Sequence, residues 1–403
     1  MKCDAQEKDL MEALERKAAI TGIGRSAIGR RLGRSGLDLT VDAVLAALNN
    51  AGLDRTDIDG VACWPGQVAT PPGMSPTSIF EVRDALNLQL SWYSGGSEGP
   101  AQLTSIIAAA MAVATGQARH VLCFRTLTEA TEAAALRSAP LTQGRANRIE
   151  GMFQWQVPYH APSAAVWAAL FAQRYVHEYG LKREQLAQIA LNARRNAGLN
   201  PEAVYRTPLT MDEYLSSRMI STPFCLYDCD VPVDGSTAVI VSRIDAARDT
   251  RCAPIRIEAI SGPLCTPTSW DQFPELAHMA YLAAGERLWQ RTDFRPKDVD
   301  CAHLYDGFSF FTLVWLEALG FCGKGEAPAF VEGGQRIALD GELPLNTDGG
   351  QLSAGRLHGF GHLYEAVTQL RGEAGARQTR DPKVAVVANG GGSIASAALL
   401  VRD

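Results

Sequence analysis

Two stretches of this chain align without a gap at an offset of 241 residues (292 − 51): AGLDRTDIDGVACWPG at 51–66 and TDFRPKDVDCAHLYDG at 292–307. Each reads as a helix end, then Leu53 or Phe294, then an Asp-x-Asp step (Asp57 and Asp59; Asp298 and Asp300), then a short apolar strand, and Gly66 matches Gly307. The same order recurs downstream. An Ala-rich helix closes at Gly116 and turns into a strand at 121–124, and a second helix closes at Gly372 and turns into a strand at 384–388. Glycine is the residue that most readily ends a helix, and a short apolar run behind it reads as a buried strand. Helices alternating with buried strands predict an α/β fold with mostly parallel sheets. Two copies of that order predict an internal duplication.

The first half opens on AAITGIG at 18–24 and the second on IRIEAISG at 255–262, with the join in the charged stretch 243–254. The domain boundaries that follow are 18–248 and 249–403, after a charged leader at 1–17 that lacks an apolar signal core. An insertion at about 125–220 is rich in Tyr, Trp, Met and Arg, with few strand signals, and predicts a helical cap over the active-site mouth. With 403 residues, 46% hydrophobic and 20% charged, the chain has the material for two globular halves. A net charge of -6 without a Lys/Arg-rich stripe argues against a nucleic-acid surface. No run approaches the length of a membrane-spanning helix. Nine cysteines without framework spacing, and no secretion signal, point to reduced thiols in the cytoplasm. Cys225 and Cys229 have no second pair at ligand spacing, so no metal site is read from them.

A duplicated α/β chain carrying GIGRSAIGR, DVPVDGSTAVIVS, LEALGFCGKGEA, NTDGGQLSAGR and NGGGSIASAALL in that order resembles the thiolase superfamily from about 18 to 401. The branch it is most similar to is that of the sterol carrier protein X-type thiolases and lipid-transfer proteins. The resemblance implies two five-stranded sheets with helices between and around them, an αβαβα stack. It also locates three departures. A thiolase places a nucleophilic Cys at the N-terminus of the first Ala-rich helix, where the helix dipole lowers its pKa. Here that region, SWYSGGSEGPAQLTSII at 91–107, contains no Cys. The His of the thiolase Gly-His-Pro motif falls on Arg356, with His358 two residues on, and the second thiolase Cys falls on Asn389.

A chain lacking all three parts is not equipped for Claisen condensation. The pattern resembles the subgroup of aldolases that cleave steroid side chains: a β-hydroxyacyl-CoA undergoes retro-aldol cleavage to a ketone and a short acyl-CoA such as propionyl-CoA or acetyl-CoA. That reaction needs no acyl-enzyme. It needs a base for the β-hydroxyl, donors for the thioester oxygen as it becomes an enolate, and an acid for the enolate carbon. The resemblance places Tyr305, in HLYDGFSFF, over the reacting atoms, and the role assigned to it is the base, its phenol lowered by Arg356, His358 and His362 and assisted by His358. Asn389 and backbone N–H groups of the glycine loops are the oxyanion donors. Gly355, Gly390, Gly391, Ser94, Ser97 and His362 are the candidate substrate and CoA contacts. Asp306 reads as a turn cap. In the aldolase subgroup a second tyrosine stands near the position of Arg356, so the division between acid and base stays open here.

The same subgroup implies partners: a homodimer of thiolase-fold chains, dressed by a small acyl-CoA-binding protein with an OB fold and a zinc ribbon, as a heterotetramer. The chain itself needs no cofactor beyond the CoA of its substrate. Two other readings fit the lost thiolase residues. One is a silent thiolase-like carrier of lipid or acyl-CoA; the other is an acyltransferase using Ser94 or Ser97, each of which is otherwise a helix cap or part of the acyl-CoA groove.

Overall fold

In the computed structural model, residues 13–69, 71–138, 153–159, 161, 163–265, 267 and 273–403 are described. The first half runs β1 (Ala18–Arg25), α1 (Gly36–Ala51), β2 (Gly60–Cys63), α2 (Ile79–Leu86), β3 (Trp92–Gly95), α3 (Thr104–Ala114) and β4 (His120–Thr128). Helices α4 (Glu129–Ser138), α5 (Ala164–Tyr179), α6 (Arg183–Gly198) and α7 (Met211–Ser216) follow, and β5 (Asp234–Arg243) closes the half. The second half runs β6 (Ile255–Ser261), α8 (Tyr281–Trp289), β7 (Cys301–Leu304), α9 (Ser309–Ala318), α10 (Phe360–Leu370), β8 (Val384–Asn389) and β9 (Ser396–Val401).

The 241-residue offset holds in three dimensions, since β2 at 60–63 maps onto β7 at 301–304 and the 3-10 turn at 55–57 maps onto that at 296–298. Gly116 and Gly372 both end their helices at φ +75°. Capping follows the sequence locally. Ser35 accepts from the Asp38 amide at 3.1 Å ahead of α1, and Ser78 with Glu81 closes a capping box ahead of α2. Gly24 is dictated by contact: a Cβ there would stand 2.2 Å from the Ala43 carbonyl oxygen, so α1 lies on β1 only because that strand is bare.

The nine strands form one sheet in the order β3-β2-β4-β5-β1-β6-β9-β8-β7. The expectation of two separate five-stranded sheets is corrected in two respects. The halves are joined where β1 meets β6 through the pairs Ala19–Arg256 and Ile20–Ile255. The second-half counterpart of β3 is a single parallel bridge between Ala302 and Leu345. Direction is nonetheless mostly shared within each half: β1 to β4 run together and β5 opposes them, and β6 to β8 run together and β9 opposes them.

Side chains alternate across the sheet as a strand period of two requires. In the first half Val61, Cys63, Leu122, Phe124 and Ile240 face α1 and α2, while Ala62, Val121, Cys123 and Val241 face inward. In the second half Ala385, Val387 and Leu400 face inward, while Val386, Ala388 and Leu399 pack against the outer helices α5, α8 and α9. The inward faces of both halves share α3 and α10. The result is five layers, helix–sheet–helix–sheet–helix, as the resemblance implies.

The insertion is corrected as well. Strand β4 continues to Thr128, so 125–128 belong to the sheet, and α5 and α6 pack into the core of the second half beside α9. They build its outer layer. Of the leader, residues 1–12 lie outside the described set; Leu14–Lys17 form a 3-10 turn whose buried Glu15 pairs with Arg291 at 2.6 Å. Among the described residues no helix is long and apolar enough to cross a membrane.

Candidate active site

Strands β7 and β8 are parallel neighbours, with Ala388 paired to Leu304. Their next residues are Tyr305 and Asn389, and the Tyr305 amide donates to the Ala388 carbonyl at 2.9 Å. Both side chains thus leave the carboxyl ends of adjacent parallel strands, where open α/β sheets bind ligands. The loop 355–359 arrives from the other side, with the Arg356 amide donating to Val231 at 2.8 Å. Gly359 starts α10 at φ +79°, and a Cβ there would lie 2.3 Å from Asn389 Oδ1. This loop reaches the amide of Asn389 because it has a glycine at the contact.

The charges converge on the same place. Arg356 is gripped by Glu129, at 2.9 Å from Nη2 and 3.1 Å from Nε, and by Asp230 at 3.0 Å. Burial acts to lower the Arg356 pKa, but the Asp230 and Glu129 carboxylates outweigh it and raise it. Burial alone would raise the Glu129 carboxyl; His358, Arg356 and Arg125 bring it down to about 2. His358 Nδ1 lies 3.2 Å from Arg125 Nη2 and Nε2 lies 3.5 Å from Glu129 Oε2. Because a guanidinium only donates, Nδ1 is the acceptor and Nε2 carries the hydrogen. Burial, then the cations Arg125 and Arg356, push His358 down to about 4, so it is neutral at pH 7 and the two guanidiniums keep Glu129 ionised.

Tyr305 is half-buried against Phe311, with ring centroids 6.4 Å apart. Burial and then the Asp230 carboxylate push its phenol well above the usual value; Arg356 and the neighbouring Gln351 amide oppose them. The expected lowering by neighbouring cations does not occur, because Arg356 is already neutralised by two carboxylates and His358 is uncharged. At neutral pH the phenol therefore holds its proton. Asp230 behaves oppositely. Burial, with Glu129 and Asp306 nearby, pushes its carboxyl up to about 7 despite Arg356, and that value suits a general base.

Two fully buried polar side chains have unused capacity. Arg125, in the middle of β4, has neither Nε nor Nη1 hydrogen-bonded among the described residues, and Asn389 has neither amide atom bonded. Each unmade bond on a buried group costs about 1–3 kcal/mol. Asp306 does cap a turn: it accepts from the Gln351 amide at 2.9 Å, and His362 Nε2 stands 3.1 Å from it. His362 is thus held inside the core beneath the site. Gly390 turns the chain at φ +111°, Gly391 packs on the Phe311 ring, and Gly355 packs on Val233.

The remaining candidates lie elsewhere. Ser94 and Ser97 are exposed, on the edge strand β3 and in the loop after it. That loop enters α3 through Ala101, which sits in the left-handed region at φ +61°, is buried, and belongs to a turn packed on β8 and β9. A strained elbow ahead of a helix is where a nucleophile would be displayed; here the side chain is a methyl group. Arg125, Glu129, Asp230 and Gln351 were not singled out from sequence. A lone Arg inside the apolar run HVLCFRTLT is a readable sign of a buried charge; the other three carry no local signal.

Residues 262–402 match the family model described as thiolase C-terminal domain-like. The chain is 33% identical over 401 residues to a steroid side-chain-cleaving aldolase of Thermomonospora curvata, covering 98% of this chain and 100% of that protein. It is 35% identical over 368 residues to the 17-hydroxy-3-oxo-4-pregnene-20-carboxyl-CoA lyase of Mycobacterium tuberculosis, covering 89% and 92%. Among solved structures it superposes on the Ltp2-ChsH2 aldolase with a TM-score of 0.85 at 32% identity, covering 97% of this chain and 99% of that one. Human mitochondrial 3-ketoacyl-CoA thiolase shares the fold, with a TM-score of 0.69 at 16% identity, covering 97% and 100%.

Proposed function

Because this chain belongs to the thiolase-fold steroid side-chain-cleaving aldolases, carbon–carbon lyases of acyl-CoA thioesters, we propose that it cleaves a β-hydroxyacyl-CoA carrying a steroid side chain to a ketone and a short acyl-CoA. The observation that supports the reading is the convergence of Tyr305 and Asn389, at the ends of adjacent parallel strands, with the buried Arg356–Asp230–Glu129 cluster, in a site whose helix elbow bears only a methyl group.

In this mechanism the Asp230 carboxylate takes the β-hydroxyl proton. The Cα–Cβ bond breaks, its electron pair passes into the thioester as an enolate, and the β-carbon leaves as the ketone. The Tyr305 phenol then delivers a proton to Cα. Transfer of the proton from Asp230 to the tyrosinate resets the site, so no proton is gained or lost overall. Arg356 fixes Asp230, and His358 ties Glu129 to Arg125; both position the reacting groups. In this mechanism Asn389, whose amide is unpartnered among the described residues, donates to the thioester oxygen. No step calls for a cofactor besides the CoA of the substrate.

The assembly belongs to the same proposal. The edge strand β3 presents Tyr93, 57% exposed, in contact with Phe80, 65% exposed, which suits pairing with a second copy in a homodimer. The two-component name of the Ltp2-ChsH2 aldolase supports a further partner; the partner proposed, from the resemblance alone, is an acyl-CoA-binding protein of OB-fold and zinc-ribbon type, in a heterotetramer. The described cysteines are free, which fits the cytoplasm.

The test incubates the full-length chain, with and without such a partner, with a β-hydroxy steroid acyl-CoA, and follows free ketone and short acyl-CoA. Tyr305→Phe should lower turnover by about 10²–10⁴ with the melting temperature intact. No ketone from the wild type in either arrangement, or wild-type turnover in Tyr305→Phe, overturns the reading.

A further inference from the structure

We infer that Arg125 is a catalytic residue that holds the enolate oxygen of the short acyl-CoA, with His358 as the positioning residue that aims it. The inference deepens the aldolase reading and rests on it.

Arg125 lies on β4 of the first half with no solvent exposure, and it has no ion-pair partner among the described residues. The nearby carboxylate, Glu129, is already held through its Oε2 by Nη2 and Nε of Arg356. One N–H of Arg125 donates to His358 Nδ1 at 3.2 Å; Nε and Nη1 find nothing. A buried cation with two unused donors is an incomplete arrangement unless an anionic oxygen completes it. His358 adjoins Gly359, Gly359 packs on the Asn389 amide, and Asn389 neighbours Tyr305 across the parallel strand pair. The unused donors of Arg125 and Asn389 thus flank one loop, beside the phenol that protonates Cα. Burial lowers the Arg125 pKa, yet a guanidinium stays charged at pH 7.

The chemistry requires such a charge. When Cα–Cβ breaks, the electron pair rests on the thioester oxygen until Cα is protonated. A fixed cation in a water-poor site favours that state over the neutral thioester, so it acts on the rate more than on ground-state affinity. His358, with its Nδ1 lone pair directed at Arg125, holds one end of the guanidinium in place.

The test uses the full-length chain under the conditions in which the wild type cleaves its substrate. Propionyl-CoA is the probe, and exchange of its α-protons in D₂O is followed by NMR, with its dissociation constant measured in parallel. Arg125→Met should slow exchange and cleavage together by about 10²–10³, the usual effect of losing one oxyanion donor, while affinity for propionyl-CoA changes less than about threefold. Arg125→Lys should retain part of the activity, and added guanidinium ion should restore part of it to Arg125→Ala, which a purely structural loss would not allow. Exchange within about threefold of wild type in Arg125→Met overturns the inference. So does a loss of affinity matching the loss of rate, which would make Arg125 an anchor for a CoA phosphate. If the wild type neither cleaves nor exchanges, the aldolase reading itself falls, and this inference with it.

Discussion

Replacing Asp230 by Asn separates what this carboxyl does for the reaction from what it does to the fold. Its folded-state value of about 7 stands above the ordinary 3.8 because burial disfavours the anion more than Arg356 favours it. Between those two pH values the folded chain holds a proton that the unfolded chain has released, so stability falls as pH rises and stays lowered above about 7. At 1.36 kcal/mol per pH unit the difference is worth about 4 kcal/mol as a ceiling. Asn cannot ionise, occupies the same space and can still accept from Arg356. The expected outcome is a variant that melts higher than wild type at pH 8, with the two curves converging near pH 4. Catalysis should move the other way. In the wild type kcat/KM should rise with pH through about 7, as the base loses its proton, and that limb should be absent from the variant, whose residual rate should be about 10²–10⁴ lower. The assays are thermal melts from pH 4 to 8 and ketone release over the same range. A variant with the wild-type pH limb, or one no more stable than wild type at pH 8, would refute the reasoning.

Two further outcomes are expected. Glu129→Gln should destabilise: this carboxyl is depressed from 4.5 to about 2, so its contribution is full above pH 4.5 and lost as pH falls toward 2. Its ceiling is about 3 kcal/mol at pH 7, read as a lower denaturation midpoint at neutral pH that closes on wild type in acid. Asn389→Ala should leave the melting temperature unchanged or slightly higher, because neither amide atom has a partner to lose, while turnover drops by about tenfold or more; unchanged turnover would make Asn389 a relic.

The parts that were legible from sequence are those written in local pattern. The repeat predicted a short strand behind each Asp-x-Asp step, and β2 and β7 begin at the residue after it; Asn389 stood out because glycines follow it directly. The pairing of β1 with β6 was not legible, since two residue pairs leave no pattern. Arg125 was lost when the insertion was begun at 125, although the apolar run around it continues to Leu127. Asp230 and Glu129 stand 126 and 227 residues from Arg356, and only the fold brings these charges together. The direction of the Tyr305 shift depends on that meeting, so it could not be read beforehand.

The methyl group of Ala101 has a consequence for what leaves the enzyme. An acyl-enzyme is a place where water can intrude and discharge a thioester. With no nucleophile at the elbow, the proposed cycle never opens the bond between CoA and its acyl group. The short product departs still activated, ready for a further acyl-transfer reaction, and a misfired turnover returns intact substrate instead of a spent acid. Reagents that silence thiolases by alkylating an active-site thiol should find nothing at this elbow to modify.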